Sequence, residues 1–126
     1  MPNSRDKGAA FERKICSMIK HSLGYDAKRN LDQYQIGGSD VEIPGWSVEC
    51  KAYKSGTIYK KKWWDQCVSN CKGNEPVLIY KFNNHPIKCV IRINALSRNF
   101  SNTEELLCEV DLDTWCFLVR EKMDVT

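Results

Sequence analysis

The run GSDVEIPGWSVECKAYK, residues 38–54, decides the fold. Read as a strand from Trp46 to Tyr53, it sends alternate side chains to opposite faces. Trp46, Val48, Cys50 and Ala52 then share an apolar or small face, while Ser47, Glu49, Lys51 and Tyr53 share the other. On the preceding strand Asp40 and Glu42 alternate with Val41 and Ile43, and Ile43-Pro44-Gly45-Trp46 turns the chain back. The resulting hairpin carries Asp40 alongside Glu49 and Lys51. Hard cations such as Mg²⁺ take a few carboxylate oxygens and keep several waters. Two acids and a lysine converging on one sheet face therefore look like a divalent-metal site. An exposed salt bridge would use the same residue types, so the string alone leaves both readings open.

Upstream, Phe11, Ile15, Met18, Ile19 and Leu23 recur at helical intervals and predict a helix from about Lys7 to Leu23, stopped by Gly24. Glu12 lies at the edge of that apolar stripe. A carboxylate beside a buried face needs a partner, because burying an unpaired charge is expensive. A structural ion pair is the simpler reading, and a metal or its bound water is the other. Tyr25–Tyr34 is charged and reads as a first strand with an irregular continuation, and Gly37-Gly38-Ser39 as the turn into Asp40.

Downstream, Lys54–Thr57 is a loop, and about Tyr59–Cys71 predicts a second helix with Trp63, Trp64, Cys67, Val68 and Cys71 on one side, ended by Gly73-Asn74. Pro76–Phe82 is a near-continuous β-rich run, the pattern of a buried strand. Asn83–Pro86 is a turn, and Ile87–Ile93 returns as an alternating strand. Leu107–Leu112 predicts a short strand, and Asp113–Lys122 a closing helix with Asp113 as its cap. The order is α-β-β-β-α-β-β plus a small C-terminal α/β tail, an α/β layer protein with a mixed sheet flanked by helices. A helix between strands 46–53 and 76–82 predicts a crossover that pairs them in parallel.

A chain of 126 residues fits one domain, 1–126, with a core over about 5–93 and an extension over 94–126. No long uncharged apolar run predicts a membrane span, and MPNSRDKGAAFERK lacks the apolar stretch of a signal peptide. The expected place is a cytoplasm, with no membrane partner. The seven cysteines are odd in number and contain no CxxC pair, so neither a disulfide framework nor a zinc module is indicated, and the thiols read as small core residues. Net charge is +3 but uneven: residues 1–92 hold 16 Lys and Arg against 9 Asp and Glu, and residues 93–126 hold 3 against 7. A basic portion that also carries the acid pair fits a phosphate-rich partner across one face.

In stretches beyond the hairpin the chain resembles a known family. KGAAFERKI at 7–15, GGSDVEIPGWSVECK at 37–51, WWDQ at 63–66 and the strand PVLIYKF resemble the archaeal-type Holliday junction resolvases of the PD-(D/E)xK nuclease superfamily, phage-borne relatives included. The resemblance covers roughly residues 5–93 and implies a restriction-endonuclease-like fold. In such resolvases the first helix opens on a lysine-glycine pair and carries a glutamate that helps build the metal site, and Glu12 stands at that position. The resemblance thus turns Glu12 from an ion-pair member into a metal-site acid. Asp40 matches the aspartate of the second motif, Glu49 and Lys51 its glutamate-x-lysine pair, and Gln66 the polar residue on the following helix. Ser39 replaces the customary proline before the aspartate, and nothing after Arg92 matches.

The implied cofactor is Mg²⁺, with Mn²⁺ able to substitute, held by Glu12, Asp40, Glu49 and the backbone carbonyl of Cys50. Lys51 would orient or deprotonate the attacking water, or stabilise charge on the phosphate. Candidate DNA contacts are Arg5, Lys7, Arg13 and Lys14 on the first helix, Lys28 and Arg29 before the site, Lys54 after it, and Lys60-Lys61-Lys62 at the second helix. Trp63 and Trp64 either pack in a core or dimer interface or wedge at bases, and Tyr34 and Tyr53 either touch substrate or pack. The expected activity is endonucleolytic resolution of four-way DNA junctions by paired symmetric cuts, carried out by a homodimer. The alternatives are a nickase, a restriction-like or replication-intermediate nuclease, and an inactive nuclease-fold DNA-binding module.

Overall fold

In a computed structural model, which describes residues 4–31, 39–97, 99 and 106–124, three helices flank a mixed sheet. The order is α1 (Ser4–Leu23), β1 (Lys28–Arg29), β2 (Val41–Ile43), β3 (Trp46–Tyr53), α2 (Lys61–Ser69), β4 (Glu75–Phe82), β5 (Lys88–Arg92), a 3₁₀ turn (Ile93–Ala95), β6 (Leu107–Asp111) and α3 (Leu112–Asp124). The six strands lie side by side in chain order. All neighbours are antiparallel except β3 and β4, which run parallel through the α2 crossover over the full length of both strands. The expected α/β mixed sheet and its parallel pair are therefore present.

The deciding hairpin forms because its alternation matches two different layers. β2 and β3 pair Val41 with Val48 and Ile43 with Trp46, leaving a two-residue connection of Pro44 and Gly45. Gly45 has φ 83°, a backbone state that a glycine reaches without Cβ strain. The odd-face residues of β2 and the even-face residues of β3 join Val77, Ile79, Cys89 and Ile91 under α1 and α3. There α1 contributes Phe11, Ile15 and Ile19, and α3 contributes Leu112, Trp115, Cys116 and Val119. Trp46 meets Trp115 edge to face at 5.7 Å, a geometry that brings a positive ring edge onto a negative face. The opposite face is covered by α2, whose Trp63, Trp64 and Cys67 pack on Leu78, Tyr80, Phe82 and Val90. The two tryptophans are thus core residues.

Several element ends differ from expectation for local reasons. Among the described residues of Tyr25–Tyr34, Lys28 and Arg29 pair with Glu42 and Val41, and Asn30 adds one bond to the Asp40 carbonyl. Leu31, which follows, is 71% exposed and adds nothing to the sheet; Tyr34, Gly37 and Gly38 lie outside the described residues. Helix α2 begins after Lys60, which is extended, and ends at Ser69, so Tyr59 and Cys71 lie outside it. Lys72 and Gly73, both at positive φ, turn the chain into β4. The cap of α3 is Asp111 and not Asp113: Asp111 Oδ1 accepts the Thr114 N–H at 2.7 Å, so the strand ends one residue earlier than expected and Leu112 opens the helix. The C-terminal elements complete the sheet through β6 and pack α3 on α1, where Arg120 donates to the Ser22 carbonyl at 2.7 Å.

Candidate active site

Asp40 precedes β2 by one residue, yet the ladder reaches it, because its N–H donates to the Val48 carbonyl at 3.0 Å. That register sets Asp40 across from Glu49 on the α2 side of the sheet. β2 offers β3 no further backbone partner, and the Cys50 N–H instead donates to Asp40 Oδ2 at 2.8 Å. A strand residue sends its N–H and C=O to the same edge. The Cys50 carbonyl therefore leaves β3 on the edge where the Asp40 carboxylate sits.

Glu49 is the most constrained group of the site. It is 2% exposed, and its Oε2 is buried with no hydrogen-bond partner among the described residues. Burial first, and then the neighbouring Asp40 charge, push its carboxyl up to about 8, while Lys51 and the Asn70 amide, placed to donate to it, pull the other way. Glu12 adds a smaller push. The Cys50 thiol reports the same field, held well above its ordinary range by burial and by Asp40, Glu12 and Glu49. Buried negative potential and an unsatisfied carboxylate oxygen are what a hard cation neutralises. The donor set fits such an ion: two carboxylates and one strand carbonyl. Among the described residues no three His, Cys, Asp or Glu side chains come together closely enough to hold an ion by themselves.

Glu12 is 8% exposed on α1 and is held by Arg29 of β1, whose Nε donates to Glu12 Oε1 at 3.0 Å. The ion pair read from the sequence as the simpler account of Glu12 is thus present, and the acid still acts on Glu49 at a distance. Gln66 sits exposed on α2, while Asn70, four residues on, is the α2-side amide that reaches Glu49.

Residues 3–115 match the model of a family described as "Phage putative PDDEXK endonuclease". The chain belongs to this family of phage PD-(D/E)xK endonucleases. The matched range contains Glu12, Asp40, Glu49, Lys51 and Gln66, and it extends through β6 into α3. Among solved structures, the chain resembles Hjc of Archaeoglobus fulgidus, described as a Holliday junction resolvase from an archaeal hyperthermophile. The TM-score is 0.55 at 16% identity, over 83% of this chain and 94% of that one. At that identity the likeness establishes the restriction-endonuclease-like fold. A comparison with curated proteins gave no match.

The cations of this nuclease divide into free and engaged groups. Arg13, Lys14, Lys28, Lys54 and Lys62 are exposed, and the exposed Lys60 ammonium lies 5.9 Å from the Trp63 ring centre. Lys7 donates to Asn83 Oδ1 at 2.6 Å, Lys61 pairs with Asp65 at 3.0 Å, and Arg29 is committed to Glu12. The Arg5 side chain lies outside the described residues. Sequence reasoning missed Asn70, although a signal existed: Trp63, Cys67 and Asn70 follow an i, i+4, i+7 stripe, so a polar residue occupies an inward position. No helix among the described residues is long and apolar enough to cross a membrane.

Proposed function

We propose that this nuclease is a Mg²⁺-dependent, structure-selective DNA endonuclease that resolves four-way junctions by paired symmetric cuts. The observation that carries the chemistry is the Asp40–Glu49 pair, with a buried, unpartnered Glu49 oxygen beside Lys51 on one strand. Asp40, Glu49 and the Cys50 carbonyl would hold the ion, with Glu12 contributing charge or a water contact. When bound, the ion polarises the phosphate and lowers the pKa of a coordinated water. The protein's own groups do the rest. Lys51 presents its ammonium toward the attacked phosphate and its water, where it stabilises developing negative charge. Asn70, just past the end of α2, holds the Glu49 carboxylate in place, and Gln66 on that helix faces the approaching strand. Arg5, Lys7, Arg13, Lys14, Lys28, Lys54, Lys60, Lys61 and Lys62 supply phosphate contacts, whose strength falls steeply with salt, while Arg29 stays with Glu12.

The junction itself is supported by the likeness to a resolvase fold. Two symmetric cuts need two sites, so the acting species in this reading is a two-fold homodimer. The test uses a synthetic four-way junction beside duplex, flap and single-stranded DNA, each with and without Mg²⁺, and with Mn²⁺ as substitute. Paired nicks placed symmetrically across the junction are expected, and Asp40→Asn should abolish cutting while junction binding persists. Equal cutting of linear duplex points instead to a nickase or restriction-like enzyme. Binding without metal-dependent cutting of any DNA points to an inactive module and overturns the proposal.

A further inference from the structure

Tyr53 closes β3 and, by alternation, shares the α2 face with Glu49 and Lys51. Its ring lies flat on Trp63, centroids 4.9 Å apart and planes 9° from parallel. Trp63 is itself fixed from behind: it is 4% exposed and packs on Tyr80 and Phe82. The mount is rigid at its base too, since the Tyr53 carbonyl accepts the Asn83 N–H at 3.1 Å. Yet Tyr53 is 42% exposed, and among the described residues no second aromatic ring stacks on it.

Position gives that exposed ring a meaning. Two strand residues span about 6.6 Å, so the ring stands one side-chain step beyond Lys51, which stands one step beyond Glu49. Exposed Lys54 follows it in the chain, and exposed Lys60 lies 5.9 Å from the ring of its stacking partner Trp63, so positive charge that can hold phosphates stands near the stack. A braced, partly exposed ring with cations nearby is what single-stranded nucleic-acid binders use to stack bases. Within a duplex every base already has its faces covered by its neighbours, so a free aromatic face takes a base that has left the stack.

We propose that Tyr53, backed by Trp63, is a stacking platform for an unpaired nucleobase beside the scissile phosphate; this rests on the nuclease reading above. The platform favours DNA with unstacked nucleotides at the cut, such as the crossing point of a branched molecule, over continuous duplex. Covering Trp63 is a task any apolar side chain performs, whereas stacking a base needs a ring, and this difference defines the test.

The full chain carrying Asp40→Asn, which blocks cutting, is titrated with two probes. One is a duplex containing a single unpaired 2-aminopurine, the other the same duplex fully paired. Tyr53→Phe should bind both as the parent does. Tyr53→Leu, which still covers Trp63, should lose about 5- to 150-fold on the unpaired probe, equivalent to about 1–3 kcal/mol, with the paired probe unchanged. The parent should also quench the 2-aminopurine fluorescence, a readout that needs no Tyr53 substitution and that a purely structural tyrosine would not produce. Absence of quenching by the parent, or equal affinities of Tyr53→Leu and the parent for the unpaired probe, overturns the platform. Those outcomes are distinguishable from failure of the nuclease reading, which shows as no Mg²⁺-dependent cutting by the unaltered protein on any DNA.

Discussion

Replacing Glu49 by glutamine should destroy activity and, without metal, make the fold more stable. Glu49 is 2% exposed, and its carboxyl is pushed from 4.5 to about 8, chiefly by burial and then by Asp40. A carboxyl whose folded pKa is raised keeps its full contribution to stability below the unfolded pKa and loses it as pH rises through the folded one. Between those limits the native state must hold a proton that the unfolded chain has released, or must bury a charge. One pH unit of difference corresponds to about 1.4 kcal/mol, so the ionisation penalty is about 1 kcal/mol at pH 5 and about 4 kcal/mol at pH 8. Glutamine has the same shape and never ionises. Urea unfolding in EDTA should therefore show the Glu49→Gln protein gaining about 3 kcal/mol on the parent between pH 5 and pH 8. Comparing the two pH values cancels any fixed packing cost of the amide. Adding Mg²⁺ at pH 8 should stabilise the parent, by about 2.7 kcal/mol at a hundredfold excess over the dissociation constant, and leave the variant unmoved. Parallel stability curves for the two proteins from pH 5 to pH 8 would refute the burial argument.

Arg29→Met removes the cation that pairs with Glu12 at 3.0 Å and should cost about 2–4 kcal/mol by urea titration, with partial recovery in the Glu12→Gln, Arg29→Met double variant. Gly56 has φ 143°, and a Cβ there would come within 2.5 Å of the Phe82 ring, so Gly56→Ala should lower stability by about 1–3 kcal/mol and shift the Tyr53–Trp63 stack, seen as altered tryptophan emission. Ile15→Ala opens a cavity at a fully buried position between α1 and the sheet and should cost about 2–5 kcal/mol by the same titration. Asp65→Ala, which breaks the exposed pair with Lys61, should change stability by less than about 0.5 kcal/mol, and a larger loss would show that the pair does more than cover a helix surface.

The hairpin and the Asp40–Glu49–Lys51 face were readable because strand alternation and a Pro-Gly connection are local rules. The long apolar stripe of α1 was readable for the same reason. Arg29 as the partner of Glu12 was not, since the two lie 17 residues apart on different elements and meet only once β1 joins the sheet edge. The α2 limits were misjudged because Tyr59 is apolar in sequence but packs on Tyr80 from the preceding loop, 5.6 Å away, and not from the helix. Asp111 and Asp113 are equivalent cap candidates by composition, and only the end of the β5–β6 ladder decides between them. Gln66 was chosen by resemblance to the family, while the inward stripe Trp63, Cys67, Asn70 carried an unread signal for Asn70.

The first and last helices rest on the same sheet face and on each other, with Ile15 and Trp115 in one cluster and Arg120 tied to Ser22. Contacts between segments about a hundred residues apart carry a high loop-closure cost and form late. Helix α1 packs mainly on β3, and the sheet face it covers is shared with α3. Because α1 also carries Glu12, that acid is set by a helix clamped between the sheet and α3, and a change that loosens α3 reaches the Glu12 end of the site through α1.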